Sequence, residues 1–175
     1  MFSLPELEEL LRGIASEVRE QQTYRAAIVP PERLREAAEA LRDAGYNYFL
    51  SLSAVDEPKQ GRIRLVYHFT RIDNPSDLVA LEVYVSRDNP RVSSIADIYP
   101  AAQLQEREEH EMLGVIFEGN PDLRHLLLPE DWPENVYPLR KDFRVVEEPF
   151  TTTKQSKPIW VLKPELKPRE EQGKE

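Results

Sequence analysis

The segment from Glu106 to Phe143 constrains the fold of this chain more than any other part of it. Prolines interrupt the segment at short intervals, at Pro121, Pro129, Pro133 and Pro138. Because proline removes a backbone donor and restricts the residue before it, neither a long helix nor a central strand can run through these positions. Yet the segment is rich in Leu, Ile, Phe and Trp, which disordered stretches lack. We therefore expect an irregular but ordered arm that lies over another surface.

Length and composition narrow the class of protein. The 175 residues suffice for one domain with a hydrophobic core and extensions. The absence of cysteine excludes disulfides, zinc–cysteine sites and cysteine-ligated iron–sulfur clusters in this chain. A net charge of −9 argues against a general nucleic-acid binder, so no nucleic-acid partner is expected. Fifteen prolines and abundant Glu and Arg are typical of thermophilic proteins.

Membrane and export signals are not evident in the sequence. No run of 18 or more apolar residues occurs, and the first residues, MFSLPELEELL, lack the basic start and apolar core of a signal peptide. We expect a cytosolic protein without a transmembrane segment.

Hydrophobic periodicity predicts a first helix over residues 4–20. Ser3 followed by Glu6 is a capping-box pattern, which marks a helix start. Apolar residues then recur at three- and four-residue steps, at Leu4, Leu7, Leu11, Ile14 and Val18.

Two further helices are predicted. The second begins at Pro31 and ends at Gly45, with one apolar stripe formed by Leu34, Ala37, Ala38 and Leu41. The third follows Pro100, runs from Ala101 to Leu113, and ends at Gly114.

β-branched and alternating apolar residues predict four strands. They cover Thr23 to Val29, Tyr46 to Ser53, Arg62 to Thr70, and the stretch around Leu81, Val83 and Val85. In the second of these strands, one face is expected to hold Tyr46, Tyr48, Leu50 and Leu52.

The element order α-β-α-β-β-β-α predicts an α+β fold, a two-layer sandwich of helices on a mixed β-sheet. Residues 1–114 would form this domain. Residues 115–175 would form a long, irregular C-terminal docking arm with short helical turns at most.

A dense polar cluster on the third helix is the strongest candidate for chemistry. Glu106 and His110 share one helix face, as do Arg107 and Glu111. A di-iron site would need Glu-x-x-His spacing on two helices, which this chain lacks. A solvated or interface ion-pair face is the simpler interpretation, and a free-standing enzyme or adaptor using the Glu106–Glu111 carboxylates is the alternative.

Other catalytic patterns are missing. His68 and His125 have no nucleophile at an interpretable spacing, and no glycine-rich phosphate loop occurs. We predict no catalytic, cofactor-binding or metal-binding residues in this chain.

The arm carries residue types that anchor protein interfaces. Trp132, Tyr137 and Leu126 to Leu128 are large and apolar, and Arg124 and Arg140 suit carboxylate partners. These side chains would pack either against a partner or against the sheet of the same chain.

The segment EREEHEMLGVIFEGNPDLRHLLLPEDW, followed by YPLRKDF, resembles the signature of the C subunit (30-kDa subunit) of respiratory complex I. The family includes counterparts in membrane-bound energy-converting [NiFe]-hydrogenases and in archaeal sulfur-reducing complexes. The family pattern aligns with this chain in three places: the Glu-Arg-Glu start at residues 106–108, the Pro-Asp-Leu-Arg stretch, and the Pro-Leu-Arg-Lys-Asp-aromatic block.

The resemblance implies a non-catalytic, cofactor-free subunit of the peripheral arm of an ion-translocating oxidoreductase, on the cytoplasmic face of the membrane. Its partners would be a large hydrogenase-like subunit and a small iron–sulfur subunit. Iron–sulfur clusters and any NiFe centre would lie in those partners, and attachment to the membrane subunits would be indirect. The implied interface residues are Glu106, Arg107, Glu108, Glu111, Arg124, Trp132, Tyr137, Arg140, Lys141 and Asp142.

Three positions depart from the family pattern. Asn120 stands where His is usual, His125 where a second Arg is common, and Arg144 where Pro often follows. Together with the composition, these departures favour the hydrogenase or sulfur-reductase branch, with a true NADH:quinone oxidoreductase as the alternative. We also predict that Arg107, Arg124 and Arg140 form ion pairs, some of them at a partner.

Overall fold

The computed structural model describes residues 3–144, and alternating apolar side chains explain its central strands. In β4 (Arg62–Thr70), every second residue from Ile63 to Phe69 is fully buried. The antiparallel neighbour β5 (Val79–Ser86) buries Val79, Leu81 and Val83 in register with them. Both strands were predicted, and both present their predicted apolar face to the core.

Besides β4 and β5, the described residues form the strands β1 (Glu17–Glu20), β2 (Arg25–Ile28), β3 (Tyr48–Glu57), β6 (Arg91–Ser93) and β7 (Ile116–Glu118). Five of these strands form the main sheet in the order β1-β2-β5-β4-β3, in which only the β2–β5 pair is parallel. The separate pair of short parallel strands, β6 and β7, was not predicted. The predicted α+β class with a mixed sheet is confirmed.

Three helices contribute to one hydrophobic core with the inner face of the sheet. They are α1 (Leu4–Leu10), α2 (Leu34–Asp43), which follows a 3-10 turn at Pro31–Arg33, and α3 (Ala102–Leu113). The predicted stripe on α2 is fully buried in this core. Helix α3 ends where Gly114 takes a left-handed conformation (φ 81°), as its sequence predicts. The two-layer arrangement places α3 beside strand β3.

The first helix was predicted too long. The capping box between Ser3 and Glu6 forms, but α1 ends at Leu10 and the chain turns at Gly13 (φ 75°). Residues 17–20 then form strand β1 on the edge of the sheet, paired with β2. Pairing with β2 satisfies this backbone and outweighs the weak helical periodicity of the segment.

The predicted apolar face of the strand that begins at Tyr46 was wrong at Tyr48 and Leu50, whereas Tyr46 and Leu52 are buried as predicted. A β-bulge at Leu50 shifts the register, so Phe49 pairs with Phe69 and Ser51 with His68. Phe49 and Leu52 therefore point into the core, while Tyr48 and Leu50 are about half exposed (49% and 46%). One extra residue reverses the alternation of a strand, and no local sequence pattern marks this bulge.

The described part of the arm, residues 115–144, contains β7 and otherwise no helix or strand. This agrees with the irregular arm that was predicted, of which residues 145–175 lie outside the described residues. Within residues 3–144, no helix is both long and apolar enough to cross a membrane.

Candidate interaction site: helix α3 and the arm

Glu106 is a fully buried carboxylate at the inner face of α3. It accepts hydrogen bonds from the Ser94 hydroxyl (2.5 Å), the Ile95 amide (2.9 Å) and the Asn120 side chain (2.8 Å). Ser94 follows β6 and Asn120 follows β7, so one carboxylate fastens the small sheet to the helix. Burial raises the pKa of Glu106, against the opposing effect of these three donors.

Glu111 holds the arm by its backbone. Glu111 is 3% exposed. Its carboxylate accepts hydrogen bonds from three consecutive backbone amides, those of Leu126 (2.9 Å), Leu127 (2.8 Å) and Leu128 (3.2 Å). The His125 ring lies 3.4 Å from the same carboxylate. Three adjacent N–H groups converging on one anion form a strong, charge-assisted attachment.

Arg107 lies one turn before Glu111 on the same face of α3. It binds backbone carbonyl oxygens of the same loop, whereas Glu111 binds backbone amides. Its guanidinium donates to the carbonyl oxygens of Arg124 and His125 and pairs with Asp122 at 3.3 Å. Arg107 and Glu111 together therefore fix both donors and acceptors of residues 124–128.

A second attachment lies at the C-terminal end of α3. Arg140 donates from Nε to the Leu113 carbonyl (2.8 Å), and the Leu139 amide donates to the Met112 carbonyl (3.1 Å). Both satisfy carbonyls that a helix end leaves without an intrahelical partner. The Arg140 guanidinium stacks 4.6 Å above the Tyr137 ring, and burial lowers the pKa of Arg140.

A third attachment joins the arm to the end of β3. Asp56 is buried and accepts two hydrogen bonds from Arg87 (2.7 and 3.1 Å) and one from the Lys141 amide (2.8 Å). Arg87 also pairs with Asp142 at 2.7 Å. Desolvation opposes the ionised form of Asp56, but these donors outweigh it and lower its pKa.

The remaining polar face of α3 protects the edge of the sheet. The Gln105 side chain accepts a hydrogen bond from the backbone amide of Leu52 (2.5 Å), and the Glu109 side chain accepts one from that of Ala54 (3.1 Å). Both amides belong to edge strand β3. Covering free amides in this way prevents pairing with another strand. Burial, reinforced by neighbouring Glu108, raises the pKa of Glu109 to about 7.

This shift predicts a pH-dependent effect of Glu109→Gln. The folded state keeps the Glu109 proton up to about pH 7, whereas the unfolded chain loses it near 4.5, so native stability falls as pH rises between these values. Glutamine keeps the acceptor for the Ala54 amide without the charge. We expect the variant to be more stable than the native protein by about 1–2 kcal/mol at pH 8, after allowance for solvent screening, and equal to it near pH 4.5.

Thermal unfolding at both pH values measures this difference. The exposed Glu8→Gln is the matched control for removal of a surface carboxylate. A Glu109→Gln variant that is less stable than native protein at pH 8 would contradict the assignment.

The residues predicted as interface thus lie in two settings. The side chains of five of them are buried or half-buried against other parts of the same chain: Glu106, Arg107, Glu111, Tyr137 and Arg140. Their contacts bring the two halves of the signature together around α3. The side chains of Glu108, Arg124, Lys141 and Asp142 are exposed, and Trp132 is partly so.

The predicted ion pairs form in part. Arg107 and Arg124 both pair with Asp122, the latter at 2.8 Å and on the surface. Arg140 instead bonds to a backbone carbonyl, and no ion pair of its side chain occurs within the described residues. Arginine has enough donors to serve carbonyls at a helix end as well as carboxylates.

Sequence reasoning missed Asp56, Arg87, Gln105 and the role of Asn120. Asp56 carries a signal that could have been used, because it continues the inward-facing register of β3 as a charged residue. Gln105 and Glu109 are four apart, which is a pattern that predicts a shared face but not the strand beneath it.

No group of three or more metal-ligating side chains occurs within residues 3–144. Glu106 and His110, which the sequence places on one helix face, serve different contacts, since Glu106 bonds to Ser94 on the buried side and His110 contacts the Val115 carbonyl through Nδ1 at 2.8 Å.

A known protein family matches the part of the chain that contains this site. The family described as the 30 kDa subunit of respiratory-chain NADH dehydrogenase matches residues 27–149. The C subunit of NADH-quinone oxidoreductase from Moorella thermoacetica is 37% identical over 83% of this chain and 95% of its own length. The chloroplastic J subunit of NAD(P)H-quinone oxidoreductase from Capsella bursa-pastoris is 38% identical over 66% of this chain and 73% of its own.

Solved structures share the fold. A chain of the membrane-bound sulfane sulfur reductase, an archaeal respiratory membrane complex, superposes with a TM-score of 0.71 at 27% identity, covering 86% of this chain and 96% of that one. The trypsin-resistant fragment of Nqo5 superposes with a TM-score of 0.57 at 26% identity, covering 67% and 96%. The protein therefore belongs to the 30 kDa subunit family of respiratory-chain NADH dehydrogenase and is a subunit of a complex I-like electron-transport complex.

Proposed function

We propose that this chain is a non-catalytic, cofactor-free structural subunit of the peripheral arm of a membrane-bound, ion-translocating oxidoreductase of the hydrogenase or sulfur-reductase type. It would lie on the cytoplasmic face and contact a large hydrogenase-like subunit and a small iron–sulfur subunit. Those partners would carry the iron–sulfur clusters and any NiFe centre.

The use of the signature residues carries this proposal. Glu106, Arg107 and Glu111 are engaged in hydrogen bonds within the chain, so they serve to present the arm rather than to bind a substrate. The structural similarity to the sulfane sulfur reductase chain supports the hydrogenase or sulfur-reductase type. The relative from Moorella thermoacetica favours the second candidate, the C subunit of a true NADH:quinone oxidoreductase.

Purification of the tagged chain from detergent-solubilised membranes tests the proposal. We expect iron–sulfur proteins and multi-span membrane proteins to co-purify in fixed ratio, and recovery of a lone monomer would contradict it. NADH oxidation coupled to quinone by the purified complex would favour the second candidate over the first. Metal or turnover in the isolated chain would favour a free-standing enzyme.

Arg124 offers a test that separates assembly from folding. Its side chain is 84% exposed and its pair with Asp122 lies at the surface, so Arg124→Ala should change the stability of the isolated chain by less than about 0.5 kcal/mol. If Arg124 contacts a partner, the variant should nonetheless lower the yield of assembled complex, measured by native gel. The control is Arg12→Ala, on a similarly exposed ion pair with Glu9 of α1. Equal yields for the two variants would remove Arg124 from the interface.

A further inference from the structure

Two leucines of the arm have exposed side chains although their backbone amides are hydrogen-bonded to a buried carboxylate. Leu126 and Leu127 are 39% and 61% exposed, although their amides are bonded to the buried Glu111 carboxylate. Because Glu111 fixes the backbone of three successive residues, this loop cannot readily rotate its leucines inward. Their exposure is therefore a property of a fixed loop.

The next turn of the arm is fixed as well and carries only acidic charges. The Trp132 indole donates to the Val136 carbonyl (2.8 Å), and its backbone amide donates to the Pro129 carbonyl (3.0 Å). Glu130, Asp131 and Glu134 are exposed on this turn, and none of them forms an ion pair within the described residues. Residues 126–134 thus combine an apolar pair with three unpaired carboxylates, and we name them the leucine–acid lobe.

We infer that the leucine–acid lobe docks into an apolar cleft rimmed by Lys and Arg on a neighbouring subunit of the complex. This inference rests on the proposed function. Charge complementarity argues for such a partner, because exposed unpaired carboxylates beside an apolar anchor select a basic rim around an apolar centre. The fixed backbone lowers the ordering cost of binding.

Charge also argues against a second copy of this chain as the occupant. A two-fold contact through the lobe would bring two sets of the same carboxylates together, in a chain whose net charge is already −9. Like charges in contact oppose association.

The double variant Leu126→Ser/Leu127→Ser tests the apolar centre in the assembled complex. We expect recovery of the partner subunits with the tagged chain, measured by quantitative mass spectrometry, to fall at least about tenfold, as for buried apolar anchors of interfaces. The control Ile72→Ser alters a residue of similar exposure (66%) that follows β4 and should leave recovery unchanged. Equal recovery for both variants would overturn the inference, whereas failure of the native chain to recover any partner would overturn the proposed function instead.

Two further measurements test the occupant itself. Reversing the lobe charges (Glu130→Lys, Asp131→Lys and Glu134→Lys) should lower recovery at low salt and invert its dependence on NaCl, because added salt then screens a repulsion instead of an attraction. A photo-crosslinker placed at position 127 in the intact complex should link to apolar residues beside Lys or Arg of another subunit. Crosslinks to a second copy or to residues 145–175 of the same chain would overturn the inference.

Discussion

Replacing Glu111 with alanine is expected to release the arm from α3. The variant leaves three consecutive amides, those of residues 126–128, without their acceptor. A buried donor without a partner costs about 1–3 kcal/mol, but a freed loop can turn its amides toward water. We therefore expect the opening of this loop to become easier by about 3 kcal/mol.

Hydrogen exchange of the Leu126, Leu127 and Leu128 amides measures this opening directly. Exchange should accelerate about a hundredfold, because each 1.4 kcal/mol corresponds to a factor of ten. Glu111→Gln, which keeps one acceptor oxygen, should fall between the native protein and alanine. Glu108→Ala, exposed on the same helix, is the control and should leave these amides protected. Unchanged protection in Glu111→Ala would show that the carboxylate does not hold the loop.

The partner residue on α3 extends this test. Arg107 binds carbonyl oxygens of the same loop, so its removal should cost much less in the Glu111→Ala background than in the native protein. Additive effects would show that the two residues hold the arm independently.

Gly114→Ala is expected to destabilise the protein by about 3 kcal/mol for two separate reasons. Gly114 has φ 81°, and a left-handed conformation costs an L-residue about 1–2 kcal/mol. A Cβ at this position would also lie 2.6 Å from Cε2 of the Tyr137 ring, which must then move off the end of α3. The second effect would detach the arm where Arg140 caps the helix.

Gly61→Ala separates the two contributions, because Gly61 has φ 62° but no atom within 4 Å of the added Cβ. Chemical unfolding should give about 1 kcal/mol for Gly61→Ala and clearly more for Gly114→Ala. In a Tyr137→Ala background, the cost of Gly114→Ala should drop to that of Gly61→Ala. Equal costs for both glycines in the native background would contradict the close approach of Tyr137.

Some elements of this fold were predictable because their sequence signal and their tertiary role agree. The alternation in β4 and the stripe on α2 each present a single apolar face, and each buries that face. The predictions for helix α1 and strand β3 were wrong in part, α1 in its length and β3 in its apolar face, and the two errors have different causes. Residues 17–20 have helical periodicity but gain a strand partner, and β3 has regular alternation but contains a bulge at Leu50.

For the candidate site, the sequence by itself predicted the segment that carries most of the contacts, but not Asp56, Arg87 and Gln105, which lie outside that segment. The run from Glu106 to Phe143 predicted an ordered, irregular arm, and its pattern of charges, prolines and aromatic residues predicted the family. Both inferences depend on residue types and their spacing, which are properties of the chain alone.

Only the tertiary structure decided what those residues contact. Glu106, Arg107 and Glu111 lie on one short helix, yet they bind the small sheet, the arm carbonyls and the arm amides, respectively. Asp56 and Asp142 are far apart in sequence and meet through Arg87. A charge shows that a partner is needed, but long-range packing determines which groups come within hydrogen-bonding distance. That packing buries Glu106 and Glu111 and leaves the leucines at 126 and 127 and the carboxylates of the leucine–acid lobe exposed.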